Sequence, residues 1–176
     1  MVCVEVGDIV KRIIIIFIIT IIILAVGCIV YDINDDVDFH TSKTREESEY
    51  CKEILDEVIR CLDEDDVETL YSLFSEDDKS EYNLERQIED AMEVYDGKSV
   101  SCDVYSYGRG SIKVYYGYYS LKTVSVKYRK VETDSGKEYY IHVLICLVDD
   151  EKPESVGMYK IEIKDADSLD MIAEIG

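Results

Sequence analysis

Two groups of residues in this 176-residue chain could carry chemistry, one around a histidine and one around a run of tyrosines. Beyond His40 there is one histidine, His142, in a strand-like run where it alternates with Tyr140, Leu144 and Cys146. Imidazole changes charge near neutral pH, so beside a tyrosine and a carboxylate it could act as a general acid or base. Among 15 tyrosines and 39 acidic residues some such juxtaposition is expected by chance. A ring satisfied in the core or at a sheet edge is therefore the plainer reading of His142. The tyrosines between Tyr105 and Tyr119, with Tyr105, Tyr107 and Tyr116 as the candidates, are rigid and amphipathic, which suits a recognition face. Ordinary β-propensity on a half-exposed strand is the plainer explanation of them.

Other chemistries lack their residues. No nucleophile elbow or phosphate loop is written in the chain. The acid runs 63–66 and 76–78 lack the spacing and glycine of a calcium loop. Of the six cysteines (Cys3, Cys28, Cys51, Cys61, Cys102, Cys146), none has CxxC spacing or a nearby histidine that would suggest zinc. Cys51, Cys102 and Cys146 fall in apolar-patterned stretches and are expected as buried thiols, with a disulfide open in an oxidising exterior. No catalytic residue, metal ligand or cofactor is assigned.

Stepping outward, residues 13–30 are apolar and uncharged. As a helix these eighteen residues would span about 27 Å, close to the hydrocarbon core of a bilayer. Lys11 and Arg12 precede the run and Asp32, Asp35, Asp36 and Asp38 follow it, so the basic end stays cytoplasmic and the bulk of the chain is expected outside. Two readings of the run stand. It is an uncleaved signal anchor, or Leu24-Ala25-Val26-Gly27-Cys28 is a lipoprotein cleavage box, with Cys28 the lipid attachment site. Residues 1–12 are then the cytoplasmic n-region, 13–30 the anchor or signal, 31–45 an acidic tether and 46–176 the extracytoplasmic domain, at a size that suits one core. The net charge of −20 falls on the later part, argues against nucleic acid, and leaves room for a basic protein partner or for plain solubility.

The elements that must position these residues read as helices first and strands later. Cys51, Ile54, Leu55, Val58 and Leu62 form one helical stripe, opened by a capping box at Thr44 and Glu47. Val67 to Ser75 reads as a short second helix, 76–82 as a polar loop, and Leu84, Ile88, Met92 and Tyr95 as a third helix closed by Gly97. From Lys98 the period becomes two. Gly108-Arg109-Gly110 reads as a turn, and Gly117 as a bulge, a bend or a break within the long run 111–131. Thr133 to Gly136 is a hairpin turn, 137–148 a central strand with apolar residues on both faces, and 156–164 the last strand, with Tyr159, Ile161 and Ile163 on one side. The tail from Asp165 is left to a turn of helix or to fraying. The expected class is α+β, with three helices on a strongly curved antiparallel sheet of four to six strands.

That order of elements resembles the nuclear-transport-factor-2-like cone fold, shared in outline with cystatin and ketosteroid isomerase. More closely, the chain resembles an uncharacterised bacterial lipoprotein-like domain of unknown function. The residues that carry the likeness are Ile54-Leu55-Asp56, Leu70-Tyr71-Ser72-Leu73-Phe74-Ser75, Gln87-Ile88-Glu89 and Tyr95-Asp96-Gly97-Lys98. Gly136-Lys137-Glu138-Tyr139-Tyr140-Ile141 and Val156-Gly157-Met158-Tyr159 complete it. The resemblance implies a helix-covered bent sheet that often leaves a pocket, and lipid anchoring. Two functions follow as expectations. The first is a membrane-anchored, extracytoplasmic, noncatalytic binding or accessory domain for a small apolar ligand or a protein partner. The second is a small-molecule isomerase or hydrolase-like cone enzyme using a pocket His, Asp and Tyr. A filled interior with tyrosines outside would favour the first; a cavity gathering His142, a carboxylate and a tyrosine would favour the second.

Overall fold

The computed structural model describes residues 45–80 and 83–176. The anchor run 13–30, the n-region, Cys28 and the tether up to residue 44 lie outside the described residues. No described helix is long and apolar enough to cross a membrane. The chain divides into a unit Met1–Glu47 and a unit Ser48–Gly176, and the second is described here.

Helix α1 takes in residues 45–64. Its buried side chains Cys51, Leu55, Val58, Ile59 and Leu62 recur at three- and four-residue steps, so one stripe faces the core, with Ile54 packed at its margin. Asp65, in left-handed backbone (φ 55°), ends it. Asp66 then caps α2 (Val67–Ser72) by accepting from the Thr69 amide at 3.0 Å. Residues expected as loop form a one-turn helix α3 (Glu76–Lys79), because Ser75 caps it through the Asp78 amide and three acids sit against its positive end. Helix α4 (Leu84–Val94) buries Leu84, Ile88, Ala91 and Met92.

Five antiparallel strands follow in a simple meander: β1 (Ser99–Tyr115), β2 (Tyr118–Thr133), β3 (Glu138–Asp149), β4 (Gly157–Asp165) and β5 (Met171–Ile175). β3 is central, as its apolar pattern requires. One sheet face carries Val124, Val126, Tyr128, Ile141, Val143, Ile145, Ile161 and Ile163, all buried in one cluster with α1, α2 and α4. Each such aliphatic side chain contributes about 1.5–3 kcal/mol on full burial, so this face holds the fold together.

Several expectations are corrected. Gly108 and Gly110 lie inside β1 rather than in a turn. A Cβ on Gly108 would come 2.8 Å from Ser125 Oγ, so these glycines let β1 close on the side chains of β2. The turn lies instead at Tyr116-Gly117, between the paired Tyr115 and Tyr118. The tail forms β5, paired to β4, where a helical turn or fraying was expected. On β4 the register slips beside Tyr159, so Met158, not Tyr159, joins Ile161 and Ile163 in the core. Cys51, Cys61 and Cys146 are buried and form no disulfide among the described residues, but Cys102 is exposed. Burial lifts the Cys61 thiol to about 11.

The segments that carry the family likeness meet in space. Phe74 and Met158 form a parallel bridge, with the Ser75 amide donating to the Met158 carbonyl at 2.9 Å. Gly157 (φ 140°) passes so close that a Cβ there would meet Ser75 Cα at 2.9 Å. Likewise the Lys98 amide donates to Asp134 Oδ1 at 2.8 Å and Ser135 Oγ donates to the Asp96 carbonyl at 2.9 Å, across Gly97. These motifs clamp helices to sheet.

Candidate functional site

Charge is unevenly spread along the chain. Residues 99–133 hold six basic residues (Arg109, Lys113, Lys122, Lys127, Arg129, Lys130) against two acidic ones (Asp103, Glu132), a net of +4 inside a chain of −20. The same stretch carries seven of the 15 tyrosines. It is the β1–β2 hairpin, so topology gathers basic and aromatic side chains into one arm.

The tip of that arm is its most exposed part. Tyr116 is 85% exposed, with Tyr115 and Tyr118 nearly as open, and Ile112 and Val114 are exposed beside them. Tyr115, Tyr116, Tyr118, Ser120, Asp150 and Glu151 line a shallow recess of about 600 Å³. Tyr116 and Gly117 both have positive φ (48° and 83°), the pair a two-residue type I′ turn needs. Asn or Gly usually fills the first of those positions; a bulky tyrosine there is an outlier. Tyr115 and Tyr116 meet edge to face at 4.4 Å between ring centroids.

The other expected residues are placed apart. Tyr105 is half-buried and donates to the Ser48 carbonyl at 2.8 Å, so it ties β1 to α1. Tyr107 also packs against the core, and its hydroxyl is buried. His142 lies on the sheet face opposite the helices, opposite Lys127 of β2 and Glu162 of β4, with Nδ1 3.2 Å from Glu162 Oε2. Lys164, then His142, hold the Glu162 carboxyl below its ordinary range against the opposing effect of burial. Cys28 is outside the described residues.

The tyrosine–carboxylate pairs lie elsewhere. Tyr128 donates to Asp56 Oδ1 at 2.7 Å, and Lys52 donates to Asp56 Oδ2 at 2.6 Å. Tyr95 donates to Asp63 Oδ1 at 3.1 Å, and burial followed by the Asp63 charge pushes the Tyr95 hydroxyl up. Both tyrosines belong to the buried cluster on the helix side, whereas His142 is on the other face of the sheet. His142 does have a carboxylate and a tyrosine beside it, Glu162 at 3.2 Å and Tyr140 with ring centroids 6.1 Å apart, but on the outer sheet face, apart from the tyrosine–aspartate pairs. Among the described residues no cluster of His, Cys, Asp and Glu could hold a metal ion.

Sequence reasoning missed the outer face around Tyr140. The ladder between β2 and β3 slips between Tyr128 and Val131, so Arg129 and Lys130 together oppose Tyr140, while Lys164 pairs with it from β4. Lys127 and Lys164 each stand over the Tyr140 ring, at 5.6 and 5.7 Å from its centroid. The alternation Ser125, Lys127, Arg129 reads in sequence only as a solvated strand face; the bulge that concentrates the charge has no sequence mark.

A family model described as a domain of unknown function, DUF5104, matches residues 57–171, from the second half of α1 to the first residue of β5. No curated protein matches the chain. The matched span contains both glycine clamps and the β1–β2 arm, and the chain belongs to this DUF5104 family of unknown function.

Proposed function

We propose that residues 48–176 are a noncatalytic binding domain that docks a protein partner through the tip of the β1–β2 arm. In this reading residues 13–30 hold the domain at the outside of a membrane, as an uncleaved anchor or through lipid on Cys28. The fold is a variant of the nuclear-transport-factor-2-like cone, a reading supported by helices on one sheet face and by register slips in β2, β3 and β4 that bend it. The helix-side face of the sheet is filled by packed side chains and the tyrosines of the arm's tip, Tyr115, Tyr116 and Tyr118, stand outside, which supports a binding role over a pocket enzyme. The arm is itself basic, so contact at its tip is read as aromatic and apolar rather than as a match of charge to a basic partner.

The observation that carries the reading is Tyr116. Tyr116, 85% exposed and held at positive φ, meets Tyr115 edge to face but buries little and strains the backbone. Strain kept where it does not help folding points to use. Replacing Tyr116 with Asn should raise stability by a few tenths to about 1 kcal/mol, since Asn tolerates left-handed backbone. The same variant should lose photo-crosslinks from a probe at Tyr118 to the partner in native membranes. A variant that is stabilised yet crosslinks as well as the wild type removes the tip from recognition.

A further inference from the structure

The recess over Tyr140 lies on the outer sheet face, away from the arm's tip, and is lined by Lys127, Arg129, Tyr140, Lys164, Ala166 and Leu169. Its volume is about 360 Å³. Three of six lining residues are cations and none is an acid, in a chain of net charge −20. Two neighbouring carboxylates are engaged. Glu162 takes Lys164 at 2.7 Å and His142 at 3.2 Å, and Glu138 takes Lys130 at 2.7 Å. Among the described residues Lys127 and Arg129 have no carboxylate within ion-pairing distance. The recess therefore presents two uncompensated positive charges, with a third cation shared with Glu162.

From this geometry we infer that the recess binds a doubly charged oxyanion, a phosphate monoester, through Arg129 and Lys127. The planar guanidinium of Arg129 suits bidentate contact with phosphate oxygens, and the Lys127 ammonium adds a second point charge. Lys164 closes the third side. Tyr140 fixes the two ammonium groups by its ring face, so that little freedom is lost on binding. Ala166 and exposed Leu169 supply an apolar wall for the alcohol part of the ester. Such a group could come from a soluble ester or from a lipid headgroup, and the chemistry is the same. This inference is independent of the partner at the arm's tip.

The test uses the full chain in phosphatidylcholine nanodiscs, titrated calorimetrically with phenyl phosphate. Saturable binding at one site is expected, weakened about tenfold or more by combined Lys127→Gln and Arg129→Gln, as loss of charged hydrogen bonds implies. Arg129→Gln alone, at an exposed position that cannot unfold the core, should weaken it several-fold, and Lys113→Gln near the arm's tip should leave it unchanged. Replacing part of the phosphatidylcholine with phosphatidic acid separates the sources. Loss of the phenyl phosphate titration identifies a headgroup as occupant, and its persistence a soluble ester. Absence of saturable binding, or equal binding by wild type and the double variant, overturns the inference.

Discussion

Gly157 shows how much of this fold rests on single residues. Its backbone is at φ 140° and its α-carbon passes against the Ser75 backbone, where the Phe74–Met158 bridge joins the α2–α3 segment to β4. Gly157→Ala adds both a steric clash and an unfavourable φ, and should cost roughly 1–3 kcal/mol. Chemical denaturation checks this; an unchanged midpoint would mean that the bridge is not closed in solution. Glu162 is a second single-residue case. Its carboxyl is held low in the folded state, mainly by Lys164, so its contribution is fully present above the ordinary carboxylate value near 4.5 and fades as pH falls below that value. Stability of the wild type should therefore drop through this acid window, and Glu162→Gln should flatten that part of the profile. Parallel profiles would show that the Lys164 pair is not formed.

Among the elements, the junction of α1, α4 and β1 is held by one carboxylate. Asp63 accepts from the Ser99 amide at 2.8 Å, from Tyr95 at 3.1 Å and from the Ser99 hydroxyl. Asp63→Ala removes all three and should cost about 1.5–3 kcal/mol, with faster amide exchange at the start of β1 in hydrogen-exchange measurements. If only global stability changes and the β1 amides stay protected, the carboxylate does not hold that strand. Elements of this kind were legible where periodicity is strong. The stripe Cys51–Leu62, the helix over Leu84–Val94 and the central run 138–149 follow from their apolar spacing. Elements set by partners were not legible. The short β5 exists because β4 offers it an edge, and α3 because Ser75 caps it. The glycines of 108–110 signal a turn in isolation but serve close packing once β2 lies alongside. The site divides the same way. An aromatic group was visible as spacing, and its exposed tip at Tyr116 follows from the turn. Tyr105 and Tyr107, equally tyrosines in sequence, are drawn into the core by α1. The basic recess over Tyr140 depends on a bulge and on pairing across three strands, which no local pattern encodes.

At the scale of the whole molecule, the sheet separates two tasks. Its helix-side face is filled with buried aliphatics, while its outer face and the tip of the arm carry exposed aromatic and basic groups. Family membership covers that domain and leaves its role open. The proposed role depends on residues 48–176 lying outside the membrane that the run 13–30 is proposed to enter. Cys102 reports on this directly. It is exposed on β1, whereas Cys51, Cys61 and Cys146 are buried. Although the residue is exposed, partial desolvation of its sulfur, then Asp56 and Asp63, push its thiol up, so labelling is best followed at mildly alkaline pH. Intact cells carrying the full chain are treated with a membrane-impermeant maleimide and the modified residue is identified by mass spectrometry. Modification of Cys102 before lysis, and none in Cys102→Ser, is the expected result; modification that appears only after the cells are broken open would place the domain on the inner side and overturn the proposed placement.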